Sequence, residues 1–411
     1  MLSMKVSQFQ NNIDINNKKV QEPNFKGNPI VGLATYLDER VLLGKAFLDV
    51  TALDAPQIIM ANNGQERREK FNKASFSFAL GYLSPLVTLP LTNRLGMKYV
   101  AKLTKNFTAK DANLIQLSNK YLVKAEETKK GVELLSKKLK TDYKPILDKV
   151  GGDYELLRKK LINAKNSVLA FDLLFTSASI GSVGFFNNWQ TKRKTQQEGY
   201  SAEFSMADKD IVEKRAENFK KKEPLRKAIW LGILTALTAS PLLLRKGLTS
   251  QQSTKFNNYI KKLAPKFDYT DGIFMSRLPF FMSAIGLYSG IVLASRNETE
   301  MKDTSIRSTA STIAYFCGDI LIGSILGRIS DKYFNTNLMK KDIEKSFLNK
   351  LIPPIKRLRD LGPRDRKIGA VLYWINLAML SACMGFGIPY LINKMIKHDV
   401  QKDVEKTKQQ Q

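Results

Sequence analysis

Six stretches of the chain run for 17 to 26 residues with at most one charged side chain, and lysine or arginine brackets every one of them. They are Ser75 to Asn93, Asn166 to Thr191, Ala228 to Leu244, Leu278 to Ser295, Ser308 to Gly327 and Ile368 to Asn393. A helix rising 1.5 Å per residue needs about 20 residues to cross roughly 30 Å of hydrocarbon. The third and fourth stretches are short for that span, and their basic flanks would have to reach back toward the headgroups. A core helix of a water-soluble protein keeps a polar face at 3.6-residue spacing. Here only Ser, Thr, Asn and Gly occupy those positions, so the pattern predicts six membrane-spanning helices.

Between the first two stretches the period changes. Over residues 111–165 apolar side chains recur in steps of three and four, from Leu114 and Leu117 to Leu157 and Leu161, which predicts amphipathic helices outside the bilayer. Glu126–Lys130, Glu133–Lys137 and Glu155–Lys159 stand at favourable helical spacing. Gly151-Gly152 marks a turn, and Asp153 is placed to cap the helix after it. Residues 1–28 are polar and Asn-rich and predict disorder without a cleavable signal peptide. The apolar runs within 29–60 are too short to span and predict short amphipathic helices on the membrane surface or the bundle.

The chain also resembles itself. A shift of 234 residues lays Lys73, Pro85, Arg94, Lys98 and Tyr99 on Arg307, Asp319, Arg328, Lys332 and Tyr333. Ahead of them, Glu66, Arg68 and Glu69 fall on Glu300, Lys302 and Asp303. The third stretch is a looser copy, repeating Ser-Pro-Leu of residues 84–86 at 240–242. The organisation expected is three helical hairpins, over 61–192 with its long helical connection, 208–300 and 301–397, followed by a disordered tail 398–411. Three hairpins match the count of the mitochondrial carriers, but their P-x-[DE]-x-x-[KR] signature is absent. Pro85 is followed by Leu86 and Val87, and Pro241 by Leu242 and Leu243, so membership is rejected.

Composition refines this all-α, polytopic picture mainly by exclusion. Among 411 residues there is one histidine, His398, and two cysteines, Cys317 and Cys383. His-dependent zinc sites, Ser-His-Asp triads and Cys-His dyads have no residues to build on, and no phosphate-loop or dinucleotide fingerprint occurs. No catalytic residue, metal site or cofactor is expected. Each cysteine sits in an apolar stretch and is expected to act as a small buried hydrophobe. The net charge of +28 would suit a nucleic-acid binder. Its basic residues instead flank apolar stretches or lie on helical connections, and tyrosines are not interleaved with arginines as a stacking platform requires. The partners expected are the lipid bilayer and its anionic headgroups, not nucleic acid. A bacterial cytoplasmic membrane is the expected location. Counts of basic residues over the short connections lean to both termini being cytoplasmic, although the long first connection reverses the count.

Chemistry is expected where polarity interrupts the apolar stretches. Asp319 lies mid-way along the fifth and Asp172 within the second, and a carboxylate at such depth marks an ion or proton pathway or a buried partner. Pro85 and Pro241 free backbone carbonyls that can line a cavity. Gly286-xxx-Gly290 and Gly323-xxx-Gly327 offer faces for close helix packing. Asn106 and Asn297 head glycosylation sequons. The reading that follows is a non-enzymatic, carrier- or channel-like protein. The alternatives are a membrane scaffold that binds lipid or protein through its basic connections, and a peripheral helical protein on anionic surfaces.

Overall fold

The computed structural model describes residues 28–39, 41–104, 109–205, 207–250, 254–270, 274–340 and 355–409. These are helical almost throughout. The exception is a two-residue antiparallel pairing, Tyr269 with Met275 and Thr270 with Phe274, with one isolated bridge between Met339 and Ile355. The principal elements are α1 (Pro29–Glu39), α2 (41–59), α3 (Gly64–Val100), α4 (Ala125–Leu139), α5 (Tyr154–Thr195), α6 (Lys209–Lys220), α7 (Glu223–Thr249), α8 (Lys255–Leu263), α9 (Arg277–Leu293), α10 (Glu298–Tyr333) and α11 (363–409).

Five of these helices, α3, α5, α7, α10 and α11, contain segments long and apolar enough to cross a membrane, and the apolar α9 is shorter. The helices outrun the charge-free stretches because their flanks are strong helix formers. Glu-Arg-Arg-Glu-Lys precedes the apolar part of α3, and α7 carries charged turns at both ends. π-Helical turns interrupt α3 at Ala79–Leu83, α10 at Ala314–Gly318 and α11 at Ser381–Gly387. Such turns commonly mark functional positions in long helices. The C-terminal helix continues to Gln409, past residue 398 where a disordered tail was expected.

The chain divides into two compact units. The first comprises Ala79–Gly181 and Ala228–Gly290 among the described residues. Its core is one face of α5, where Leu157, Leu161, Leu169 and Leu173 are fully buried, joined by Leu103, Leu114 and Leu122 of the preceding connection. α4 keeps Gly131 mid-helix because a Cβ there would meet the Tyr121 side chain at 2.7 Å. The Asp153 carboxylate accepts from the Glu155 and Leu156 amides and opens α5. Gly286 and Gly290 of α9 lie against Ser177 and Gly181 of α5 and Trp230 of α7. A Cβ at Gly290 would come 2.7 Å from the Gly181 Cα.

The second unit gathers 28–78, Ser182–Lys227 and the chain from Ile291 onward. Within it α1 runs antiparallel to the start of α11, from Ile30 beside Trp374 to Asp38, whose carboxylate accepts from the Leu358 amide, and α2 turns back and runs parallel to α11 from the level of Tyr373 to that of Asn393. The Trp374 indole donates to the Ile30 carbonyl (3.2 Å), Gly44 packs near the Tyr373 hydroxyl, Gly385 packs on Ala52 and Pro56, and Asn393 Nδ2 donates to the Met60 carbonyl (3.3 Å). Residues 29–59 thus form two short helices, both packed against α11. α10 sets Gly323 and Gly327 against Ile355 and Met339, which belong to the chain between α10 and α11. The cysteines correct their expectation: both Cys317 and Cys383 are exposed, on the outward faces of α10 and α11. The two helices that carry them leave most of their most apolar windows outside the protein interior.

Candidate functional site

The second unit is organised around two helix starts built alike. At α3, Asn62 N–H donates to Glu66 Oε2 (2.7 Å) and the Glu66 amide donates to Asn63 Oδ1 (2.8 Å). At α10, Arg296 N–H donates to Glu300 Oε2 (2.6 Å) and the Glu300 amide donates to Asn297 Oδ1 (2.8 Å). Both are capping boxes, in which a cap side chain and a glutamate three residues on satisfy amide donors at the helix start. Asn297 is thus 1% exposed and committed to its helix, not an accessible glycosylation acceptor; Asn106 lies outside the described residues.

One turn further along, the two helices share a buried ionic network. Arg296 lies between Glu69 (NH1–Oε1 3.0 Å, NH2–Oε2 2.9 Å) and Glu300 (Nε–Oε2 3.1 Å, NH2–Oε1 2.9 Å). Glu69 also accepts from the Thr191 hydroxyl (2.7 Å) and from the Ser201 hydroxyl. The neighbouring Tyr200 donates to Asp303 Oδ2 (2.6 Å), and Asp303 Oδ1 accepts from Arg307 Nε (2.5 Å). The loop 200–203 is buried between the helix starts: Asn63 Nδ2 donates to the Ser201 carbonyl (2.6 Å) and Asn297 Nδ2 to Glu203 Oε2 (3.0 Å). Arg215 closes the arrangement with bonds to Glu203 (3.2 Å) and to the Thr299 hydroxyl (2.8 Å).

Environment sets the protonation of these groups. Burial discourages the charge on Arg296, but Glu300 and Glu69 outweigh it and hold its pKa well above the usual value. Burial, with the Asp303 charge beside it, lifts the Tyr200 phenol well above its ordinary range, so it remains a donor. Burial also raises the Glu203 carboxyl, against the opposing pull of Arg215.

The first unit holds a second polar constellation. Lys165 Nζ, 1% exposed, donates to Asp268 Oδ1 (2.7 Å) and to the Leu117 carbonyl (2.6 Å). Asp268 Oδ2 accepts from the Ser118 hydroxyl (2.6 Å) and the Asn119 amide (3.1 Å). The next residue, Tyr269, donates to Asp172 Oδ2 at 2.6 Å. Asp172 is buried in α5, with this phenol as its hydrogen-bond partner.

The residues singled out from the sequence are distributed as follows. Asp172, Pro85, Pro241, Gly286 and Gly290 belong to the first unit, whereas Asp319, Gly323 and Gly327 belong to the second. Pro85 opens the helical stretch after the π-turn of α3, and Pro241 is buried within α7. Asp319 is the first residue after the π-turn of α10, and its side chain lies outside the described residues. The Glu69–Arg296–Glu300 network was not singled out from the sequence, although the 234-residue shift had already aligned its acids. The N-x-x-E pattern at 63–66 and 297–300 was the signal for both caps. No group of His, Cys, Asp and Glu among the described residues is arranged to hold a metal ion. Comparison with protein-family models, with curated proteins and with solved structures finds no match to this chain.

Proposed function

We propose that the chain is a non-enzymatic polytopic membrane protein of carrier or channel type. One observation carries the membrane reading. If the six apolar stretches alternate across a bilayer, residues 62–73, 192–227, 296–307 and 394–409 fall on one side. These are the segments that hydrogen bonds join in the second unit, through Asn63–Ser201, Asn297–Glu203, Glu69–Arg296 and Lys302–Asp399. The connections 94–165 and 245–277 fall on the other side, and in the first unit they are joined through Lys165–Asp268, Ser118–Asp268 and the Arg158 bond to the Leu248 carbonyl. Such alternation is what a chain that crosses a bilayer repeatedly must show.

The lipid-facing surface supports the same reading. Only 11% of the most apolar window of α3, and 17% of those of α7 and α11, is buried inside the protein. Exposed tyrosines beside lysines end two of the helices: Lys98 lies over the Tyr99 ring at 5.2 Å and Lys332 over the Tyr333 ring at 5.4 Å. Aromatic rings beside basic side chains are the usual composition of a membrane interface. The repeat reading draws on the same places. α3 and α10 match in capping box, in a π-turn and in this Lys-Tyr end, all within one residue of the 234-residue shift. We count α2 as a seventh traverse, since it follows α11 from the level of Tyr373 to that of Asn393.

Permeation is the activity best supported. Asp172 is a buried carboxylate within an apolar helix, bonded to a phenol from a loop on the side where α5 begins. A polar group so placed is a site for a proton or cation in passage. The test is flux in vesicles reconstituted with the purified chain. Asp172→Asn is expected to reduce proton-coupled uptake about tenfold or more, the change expected for a lost proton carrier, with the protein still inserted. Equal uptake by the wild type and by both Asp172→Asn and Asp319→Asn would remove the acids from the mechanism. Release of the chain by carbonate washing would overturn membrane insertion itself. A stably inserted chain with no flux would favour the scaffold, whose surface is already visible in α8, where Lys255, Phe256, Tyr259 and Lys262 are exposed.

A further inference from the structure

The ionic network of the second unit leaves one set of donors unused. Its carboxylate oxygens are engaged: Glu66 by Asn62 and Lys70, Glu69 by Arg296, Ser201 and Thr191, Glu300 by Arg296, and Asp303 by Arg307 and Tyr200. The cations are not all matched. Arg307, whose side chain is 10% exposed, spends Nε on Asp303, while NH1 and NH2 are buried without a hydrogen-bond partner. Lys73 occupies the matching position of α3 under the 234-residue shift. Among the described residues it forms neither a hydrogen bond nor an ion pair. It is half-buried, and the charges of Asp303, Glu300, Arg307 and Asp54 act on it. Buried donors left empty are costly, more so when charged, and native proteins rarely retain them.

We infer that Arg307 and Lys73 form a binding site for an oxyanion, a carboxylate or a phosphate group. The ligand must present acceptors, because the unused atoms of Arg307 and Lys73 are donors. The NH1–NH2 edge of a guanidinium presents two parallel N–H bonds that match two oxygens of such a group. Lys73 supplies a compact second charge from the other helix. The ligand would therefore bridge α3 and α10 at the same register, ahead of the apolar part of each. The site does not depend on the permeation reading, since a phosphate could bind there in a protein that conducts nothing. The oxyanion has two possible sources, a free solute or a lipid headgroup, and they share this chemistry.

The experiment uses the full chain in detergent, stripped of lipid, with inorganic phosphate as the probe. Thermal unfolding is followed against phosphate concentration, with chloride at matched ionic strength as the control. Phosphate is expected to raise the midpoint beyond chloride in the wild type. Lys73→Gln breaks no contact in the structure and is expected to fold, with its phosphate affinity at least tenfold weaker. Arg307→Lys retains the charge facing Asp303 but loses the fork, and it should weaken the response similarly. Repeating the titration in nanodiscs containing phosphatidylglycerol separates the sources. A response abolished there assigns the site to a headgroup; a response retained assigns it to a soluble anion. Equal shifts by phosphate and chloride in the wild type would overturn the site. So would wild-type phosphate affinity in both Lys73→Gln and Arg307→Lys.

Discussion

At the scale of single residues, the second unit shows how a basic chain tolerates buried charge. Arg296 is held by two carboxylates in four bonds, and each partner is anchored by a cap or a hydroxyl, so neither is left as an isolated buried ion. Glu203 is the exception, because burial raises its pKa above the ordinary 4.5 despite Arg215. The sign of its effect on stability follows. The folded state retains a proton that the unfolded chain has released, so this contribution is complete below pH 4.5 and declines as pH rises through the raised value. Glu203→Gln retains an acceptor for Asn297 and cannot ionise. Its unfolding midpoint should lose this part of the fall above pH 4.5, leaving a flatter profile than the wild type. Parallel midpoint-versus-pH curves for the two proteins would show that the burial carries no proton linkage.

At the scale of elements, close helix contact is bought with glycine. A Cβ at Gly286 would lie 2.5 Å from Ser177 Oγ, and one at Gly290 would lie 2.7 Å from the Gly181 backbone and the Trp230 indole. Gly290→Leu should therefore destabilise the first unit by about 1–3 kcal/mol, the usual cost of overpacking. Gly232 of α7 has open space around it, so Gly232→Ala should gain about 0.5–1 kcal/mol from helix propensity alone. Chemical unfolding in micelles distinguishes the two, and equal effects would mean that α9 does not pack as the structure shows. The glycine spacing at 286 and 290 was legible in the sequence, as were the apolar cores of the long helices, because both are written in contiguous residues. The pairing of 29–59 with α11 was not. Lys45, Asp49 and Asp54 break its apolar runs, and only packing against a helix more than 300 residues away places α1 and α2. The network around Arg296 was hidden for the same reason: Glu69 and Arg296 stand 227 residues apart, and each alone reads as an ordinary flanking charge.

At the scale of the whole molecule, the question is how many times the chain crosses the bilayer. Six alternating spans would put residue 38 on the same side as residue 63. The course of α2 along α11 places them on opposite sides, since Asp38 meets Leu358 just ahead of that helix and Met60 meets Asn393 near the end of its apolar stretch. A cysteine-accessibility map decides this. Cys317 and Cys383 are both exposed, so replacing them by serine gives a background that should fold. Single cysteines at Arg67, Lys221, Lys302 and Lys397, all exposed, should react with an impermeant maleimide from one side of sealed vesicles. Those at Lys137, Asn258 and Arg364, also exposed, and one at Glu39, by the turn between α1 and α2, should react only from the other. Labelling of Glu39 together with Arg67 would reduce the count to six and turn α2 into a helix that accompanies α11 without crossing. The same map orients the protein, which the charge of +28 does not, because its basic residues lie on both proposed sides.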